Sequence, residues 1–201
     1  MIKPQILFFF LLTPILTQDV NIDSLKRLEE IGVFEKASLT TVQHWQKLSY
    51  NHKFLNCQFY PSCSNYFALS IANKGTLKGC VYGIDRFIRC NPGAVNYHFR
   101  QTNPLFHTDG RIIDLETLNE DNKKFKFKRW PIFLSIIPGL GRACYGREID
   151  GTVSFIYTAG SLIFSHYSFK KGNNFVGGLS GITSLLFWSA DIYFTVKLAN
   201  R

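Results

Sequence analysis

The apolar residues of this chain form two long segments close to its C-terminus. The first covers 18 residues, 152–169, the second covers 22 residues, 175–196, and the polar stretch 170–174 joins them. A helix needs about 20 mostly apolar residues to cross a bilayer. The pattern therefore predicts a transmembrane helical hairpin, which we place in a membrane module of residues 131–201.

A shorter apolar run lies at the N-terminus, where Lys3 precedes residues 6–12. A positive start and a short apolar stretch are typical of a secretory signal, and the run is too short to span a bilayer alone. We predict that residues 1–18 are either a cleaved signal peptide or an uncleaved membrane leader. Residues 19–49 follow as a helical connector, because apolar residues recur in it at helical spacing.

The central segment, residues 50–104, has the pattern of two amphipathic helices. We predict the first over 65–73 and the second over 77–89, with Gly75 between them at a position that favours positive φ. The second helix carries an apolar stripe, made of Leu77, Cys80, Val81, Ile84, Phe87 and Ile88. We expect this stripe to face the interior of a small helical hairpin.

Basic residues occupy the other side of the second helix. Lys78, Arg86 and Arg89 lie there, so the hairpin is predicted to have a basic outer face. A basic helical face is the expected form of a surface that docks on an anionic membrane or on a partner. We predict that docking role for these three residues.

Composition and charge agree with membrane residence. Charged residues make up 18% of the chain and aromatic residues 15%, while the formal net charge is +9. A basic, aromatic-rich chain with long apolar runs favours an anionic lipid bilayer as its partner, and no nucleic-acid motif is present. The run 123–129 alternates lysine with phenylalanine inside a basic linker of residues 105–130, which is typical of a juxtamembrane segment. The fold class predicted is all-α, a small helical-hairpin domain followed by a transmembrane helical hairpin.

Three of the five cysteines lie close to the predicted ends of the central helices. Cys63 begins the first helix, Cys90 ends the second and Cys57 lies just upstream, so helices of similar length would bring Cys63 and Cys90 to the same end. A disulfide, a thiolate metal site or buried free thiols are all compatible with that placement. The spacing of Cys57 and Cys63 is poor for zinc and no fourth ligand is evident, although His52 and His98 are candidates. We predict no metal, no cofactor and no catalytic site; were the thiols catalytic, Cys63 at a helix N-terminus would be the better nucleophile.

The same segment resembles the YidD family, the small bacterial proteins called membrane protein insertion efficiency factors. The resemblance covers about residues 50–95. It rests on motif residues that we take to be structural, namely Cys57, Phe59, Pro61, Ser62, Cys63, Ser64, Tyr66, Cys90 and Pro92. Two departures are Gln58, where the family usually has arginine, and the sequence after Pro92, where the family has a Gly-Gly-x-Asp-Pro-Val tail.

What the resemblance implies is non-catalytic assistance to the insertion or folding of integral membrane proteins. The family acts at the bacterial inner membrane beside the YidC/Sec insertion machinery. The alternative is a structural or interaction protein of the envelope, with a disulfide-stabilised module. The segment that begins at Pro138-Gly-Leu-Gly141 and continues into the two apolar helices is also similar to a TM2-type two-helix membrane module. The sequence leaves open which side of the membrane the cysteine domain faces, and whether Asp191 has a function or simply reaches the interface.

Overall fold

A computed structural model describes residues 20–49, 57–100, 104–114 and 130–199 of this protein. It is mostly helical, which confirms the predicted class, with two strands of two residues each in the described ranges. The elements are α1 (Ile22–Lys26), α2 (Val33–Ser49), β1 (Phe59–Tyr60), α3 (Cys63–Lys74), α4 (Thr76–Arg89), α5 (Ala94–Phe99), β2 (Ile112–Ile113), α6 (Pro131–Leu134), α7 (Leu140–Cys144), α8 (Glu148–Lys170) and α9 (Asn174–Ala199).

The central helical hairpin consists of α3 and α4, as the sequence predicts. Ser62 caps α3 by accepting a hydrogen bond from the backbone N–H of Asn65, and Gly75 joins the helices with a φ of +76°. The two helices approach so closely that a Cβ added to Gly79 would lie 2.5 Å from the Cα of Ile71. Helix α2 packs across α3 and contributes Leu39 to a small apolar core.

The segment 104–114 belongs to this domain, although the sequence places most of it in the linker. Its strand β2 pairs in parallel with β1, so that Phe59 lies opposite Ile112. The backbone N–H of Ile112 donates to the carbonyl of Gln58 at 2.8 Å. This pairing brings Asp114, the residue after β2, into the interior beside α4.

The orientation of α4 differs from the one predicted from its pattern, although Ile88 of the apolar stripe is fully buried. Tyr82, Asp85, Arg86 and Arg89 are buried, whereas Leu77 of the apolar stripe is 78% exposed and Phe87 is 42% exposed. The face with the small and polar residues packs against α3 and β1, because Gly79 and Gly83 permit the close approach. Part of the apolar stripe is therefore left on the surface of the domain.

The C-terminal half ends in the predicted helical hairpin of α8 and α9. A tight turn between α6 and α7 packs on its base, where Gly139 has a φ of +82° and a Cβ would lie 1.9 Å from the carbonyl oxygen of Gly151. Among the described residues, α9 is the one helix that is long and apolar enough to cross a membrane. Helix α8 is less apolar, with six serine and threonine residues and one histidine between 152 and 169, so the predicted pair of spans is supported for one helix only.

The buried and exposed faces of the hairpin are inverted relative to a water-soluble protein. The buried residues of α8 are Asp150, Gly151, Ser154, Thr158, Ser165 and Ser168. Large apolar side chains point outward, among them Ile163 and Phe175, which are 70% and 80% exposed. Small residues at helix contacts and large apolar residues outside are characteristic of helices packed in lipid.

Helix α4 lies along the C-terminal half of α9 and runs in the opposite direction. The hydroxyls of Tyr82 and Tyr193 are 3.1 Å apart, and the rings of Phe87 and Phe187 are 6.4 Å apart. The central domain is thus packed on the base of the hairpin. The predicted leader, 1–18, and the basic run 123–129 lie outside the described residues.

Candidate functional site

An ion-paired triad joins the central domain to the C-terminal helices. Arg142 of α7 donates from Nη1 to Asp85 of α4 at 2.6 Å and from Nε to Asp191 of α9 at 2.7 Å. Its Nη2 also donates to the carbonyl of Ala190 at 3.3 Å, and Asp191 accepts a second bond from the backbone N–H of Gly139. All three charged side chains are fully buried. One guanidinium therefore connects three helices that are far apart in sequence.

A second buried group of charges lies inside the central domain. Asp114 accepts from both Arg86 and Arg89, and Arg89 also donates from Nε to Asp85 at 2.7 Å. The Arg86 guanidinium is 4.4 Å from the ring centroid of Tyr66, and it donates to the carbonyls of Tyr60 and Pro61. These bonds hold β1, β2 and α4 together.

The exposed basic face predicted for α4 is therefore wrong for two of its three residues. Arg86 is 1% exposed and Arg89 is 4% exposed, because both turn inward to Asp114. Lys78 is exposed, as expected. Arg86 and Arg89 hold the fold together from within, and they are not available to lipid headgroups.

A third pairing extends the buried charges to the start of α8. Asn91 donates from Nδ2 to Asp150 at 2.6 Å, and Arg147 lies 2.6 Å from the other carboxylate oxygen of Asp150. The whole cluster then holds four arginines and four aspartates, so its formal charges cancel: Arg86, Arg89, Arg142, Arg147, Asp85, Asp114, Asp150 and Asp191. We refer to these eight residues as the charge cluster.

The arginines keep the buried carboxylates ionised. Burial alone would raise the pKa of Asp85, but Arg89 and Arg142 outweigh that effect and hold its pKa below the usual value. The pKa of Asp114 is likewise lowered, since Arg89 and Arg86 outweigh burial. The two carboxylates therefore stay charged at neutral pH and bind their arginines as ions.

Three thiols meet at one end of the α3–α4 hairpin, as predicted for Cys63 and Cys90. The Sγ atoms of Cys57 and Cys63 are 3.0 Å apart, and those of Cys57 and Cys90 are 3.6 Å apart. Hydrogen bonds from Cys63 and Cys90 lower the pKa of Cys57 to about 2, whereas the hydrogen bonds with Cys57 and Cys90, together with burial, raise the pKa of Cys63. These directions favour Cys57 over Cys63 as the more acidic thiol, which does not support the prediction that Cys63 is the better nucleophile.

The other motif residues lie in the same domain. Phe59 belongs to the apolar cluster on which the three cysteines pack, Tyr66 lies beneath the Arg86 guanidinium, and Pro92 is exposed after the end of α4. Ser64 is 3.3 Å from the hydroxyl of Ser62, which caps α3. Pro61 supplies one of the carbonyls that Arg86 binds.

Sequence reasoning missed most of the charge cluster. From the sequence, Asp114 falls in the predicted linker, and Arg142 is one of several basic residues with no predicted role. One signal was available: an acid within an apolar helix, such as Asp191, requires a cationic partner, and Arg142 lies in an otherwise apolar stretch rich in glycine. Which arginine it pairs with depends on the tertiary fold.

The fold and the site define a small helical domain that buried ion pairs fasten to a membrane-type helical hairpin. A family model for YidD, described as "Putative membrane protein insertion efficiency factor", matches residues 34–97. This range contains the predicted 50–95 and begins earlier, within α2.

Proteins with that same name are similar over this part of the chain. The relative from Aquifex aeolicus is 36% identical over 62 residues, which are 29% of this chain and 91% of the relative. The relative from Thermotoga neapolitana is 43% identical over 51 residues, 25% of this chain and 65% of the relative. This protein belongs to the YidD family. No solved structure matches it.

Proposed function

We propose that this protein is a membrane-anchored, non-catalytic factor that assists the insertion or folding of other membrane proteins. Its family name refers to membrane protein insertion, which supports the process. The observation that carries the proposal is the inverted hairpin, with polar residues inside and large apolar residues outside. Such a surface is stable when lipid, and not water, surrounds it.

The charge cluster gives the hairpin a defined depth in the bilayer. Asp191 follows Asn174 by 17 residues, which corresponds to about 26 Å of helix. A bilayer core is about 30 Å thick. If the loop at Lys170 and Lys171 lies at one interface, the cluster and the central domain lie at the other. In this arrangement α9 spans the core and α8 lies beside it as the second, less apolar helix of the hairpin.

At that interface the domain presents apolar and basic side chains together. Leu77 is the second residue of α4, and the start of α2 lies close by, since Glu35 accepts a hydrogen bond from the backbone N–H of Thr76. Val33 and Phe34 are the exposed apolar residues that precede Glu35. Lys78 supplies the positive charge that anionic headgroups attract, each such charge contributing about 1 kcal/mol. We take this surface, Val33, Phe34, Leu77 and Lys78, to be the docking surface for lipid or for an incoming helix.

The proposed function is tested by the kinetics of insertion. A bacterium lacking this protein should insert a multi-spanning reporter, followed by protease protection, more slowly than the wild type. The wild-type gene should restore the rate, whereas Leu77→Glu should not, because the charge is placed at the apolar surface. Unchanged kinetics in the deletion strain would overturn the proposal.

The matched control is Leu48→Glu, the same substitution at another exposed leucine. Leu48 lies 13 residues beyond Glu35 on α2, about 20 Å from the docking surface. This variant should insert the reporter at the wild-type rate. Equal loss in both variants, at equal protein levels, would show that a general loss of stability is responsible.

A second function is an envelope interaction protein with a disulfide in its domain. The 3.0 Å separation of the Cys57 and Cys63 sulfurs favours it, because those thiols could be oxidised in an exported domain. A membrane-impermeant thiol reagent, applied to intact and to lysed cells, distinguishes this function from the proposed insertion factor. Cysteines of an exported domain are labelled without lysis or, if oxidised, only after reduction of intact cells.

A further inference from the structure

Three cysteines from three separate elements converge on one point of the central domain. Cys57 precedes β1, Cys63 is the first residue of α3 and Cys90 follows α4. Their sulfurs all lie within 4.8 Å of one another. Within the ranges that the structure describes, this group holds three sulfur ligands and no carboxylate or imidazole.

Backbone amides surround these sulfurs. The N–H of Cys63 donates to the Cys57 Sγ at 3.1 Å, the N–H of Phe59 donates to the same atom, and the N–H of Gln58 donates to Cys90. Amide donors aimed at sulfur stabilise the anionic thiolate, which is the form that binds metal ions. The backbone is therefore arranged for charged sulfurs.

The spacing of the sulfurs fits a single metal ion. Bonds of about 2.3 Å from zinc to sulfur place tetrahedral ligands about 3.8 Å apart. The two distances of 3.0 Å and 3.6 Å would change by less than about 1 Å on binding. A disulfide would instead require one pair to close to about 2.05 Å and would leave the third sulfur outside.

We propose that Cys57, Cys63 and Cys90 form a binding site for one thiophilic metal ion of the zinc class. Soft thiolate ligands select such ions over magnesium or calcium. A water molecule or hydroxide would be the fourth ligand. Of the two histidines considered from the sequence, His52 lies outside the described residues, and His98 already contacts the Leu105 carbonyl through Nε2 at 2.8 Å.

Two guanidiniums lie close to the apolar cluster on which the cysteines pack. The guanidinium of Arg86 lies 4.7 Å from the ring centroid of Phe59, a member of that cluster, and that of Arg89 lies 6.0 Å from the same centroid. Both guanidiniums pair with aspartates of the charge cluster, which is neutral as a whole. Three thiolates and one divalent ion carry a net charge of −1. Binding releases the remaining thiol protons to solvent, so that affinity falls at acid pH.

The experiment is a titration of the reduced, chelator-treated full chain with Cd(II) in detergent without oxygen. Thiolate-to-metal charge-transfer absorption should saturate at one ion per chain, and Zn(II) should displace Cd(II). Cys57→Ser, Cys63→Ser and Cys90→Ser should each lose the band. Cys80→Ser and Cys144→Ser are the matched controls and should keep it, because their sulfurs lie outside the group.

A measurement on the wild-type chain remains valid should the serine variants fail to fold. Bound Zn(II) should protect three cysteines from alkylation, identified by peptide mass spectrometry as Cys57, Cys63 and Cys90. Absence of saturable binding, protection of a different set or a band that survives Cys57→Ser would overturn the proposal. So would a Cys57–Cys63 disulfide in protein purified from cells under non-exchanging conditions. None of these outcomes depends on the insertion assay.

Discussion

Replacement of Arg142 by methionine isolates the contribution of the buried triad to stability. The variant keeps an apolar side chain of similar length but removes the charge between Asp85 and Asp191. Removing one partner of a buried ion pair costs about 3–5 kcal/mol, because the other partner remains buried and uncompensated. Each kcal/mol lowers the melting temperature of a chain of this size by about 2–4 °C. We therefore expect Arg142→Met to melt about 6–20 °C below the wild type in detergent.

A double-mutant cycle with Asp191→Leu tests the reason for that loss. In Arg142→Met the Asp191 carboxylate is left with the N–H of Gly139, whereas in the double variant neither charge remains. Asp85 still has Arg89 as a partner in the double variant. The double variant should therefore be no less stable than Arg142→Met alone. The effects of the two substitutions would then be non-additive, as expected for residues in direct contact.

The assay is thermal unfolding of the full chain in a nonionic detergent, followed by far-ultraviolet circular dichroism. Arg100→Met is the control, the same substitution at an exposed arginine whose bond to the Gly146 carbonyl is long, 3.4 Å. It should lie within about 0.5 kcal/mol of the wild type. Our reasoning fails if Arg142→Met melts like Arg100→Met, or if the losses of the two single variants add in the double variant.

Three further predictions concern the same domain and use the same assay. Asp114→Asn should cost about 3 kcal/mol because two buried arginines lose their anion, whereas Asp109→Asn, at an exposed ion pair, should leave the melting temperature close to that of the wild type; equal costs would contradict the burial argument. The pKa values of Asp85 and Asp114 are lower in the folded state, so the stability that these ionised carboxylates contribute is complete above about pH 4 and is lost as the pH falls through the folded-state pKa values. The melting temperature should therefore drop on acidification, and a rise would contradict the prediction. Gly79→Ala should destabilise by about 1–3 kcal/mol or more, because its Cβ would meet the backbone of α3, whereas Gly160→Ala, which faces open space, should cause no loss.

The positions of the helices could be predicted from the sequence, but their orientation could not. Apolar periodicity and the turn at Gly75 placed α3 and α4 within two residues at most ends, and apolar length placed α8 and α9. The basic side of α4 was predicted to face outward, toward an anionic membrane or a partner. The structure instead turns the side with Gly79, Asp85 and Arg89 inward, because Asp114 and Arg142 pair with those charges.

The candidate site was likewise predictable from the sequence only in part. The meeting of Cys63 and Cys90 followed from helix lengths alone, because two antiparallel helices of similar length return to the same end. The partner of Arg86 did not follow, since Asp114 lies 28 residues away and reaches it through the pairing of β1 with β2. Two strands of two residues each give no periodic signal in a sequence.

The contacts between α8 and α9 determine which solvent the hairpin requires. Ser165 donates to the carbonyl of Gly177 at 2.6 Å and Ser184 donates to that of Thr158 at 2.8 Å, so hydroxyl bonds to the main chain join the helices. In water, solvent molecules compete for those hydrogen bonds. The outward phenylalanines would also favour aggregation with a second copy of the hairpin. In a bilayer neither effect operates. In the proposed membrane location, lipid would therefore preserve the bonds that join the two helices, and the shape of this half of the molecule would depend on its surroundings.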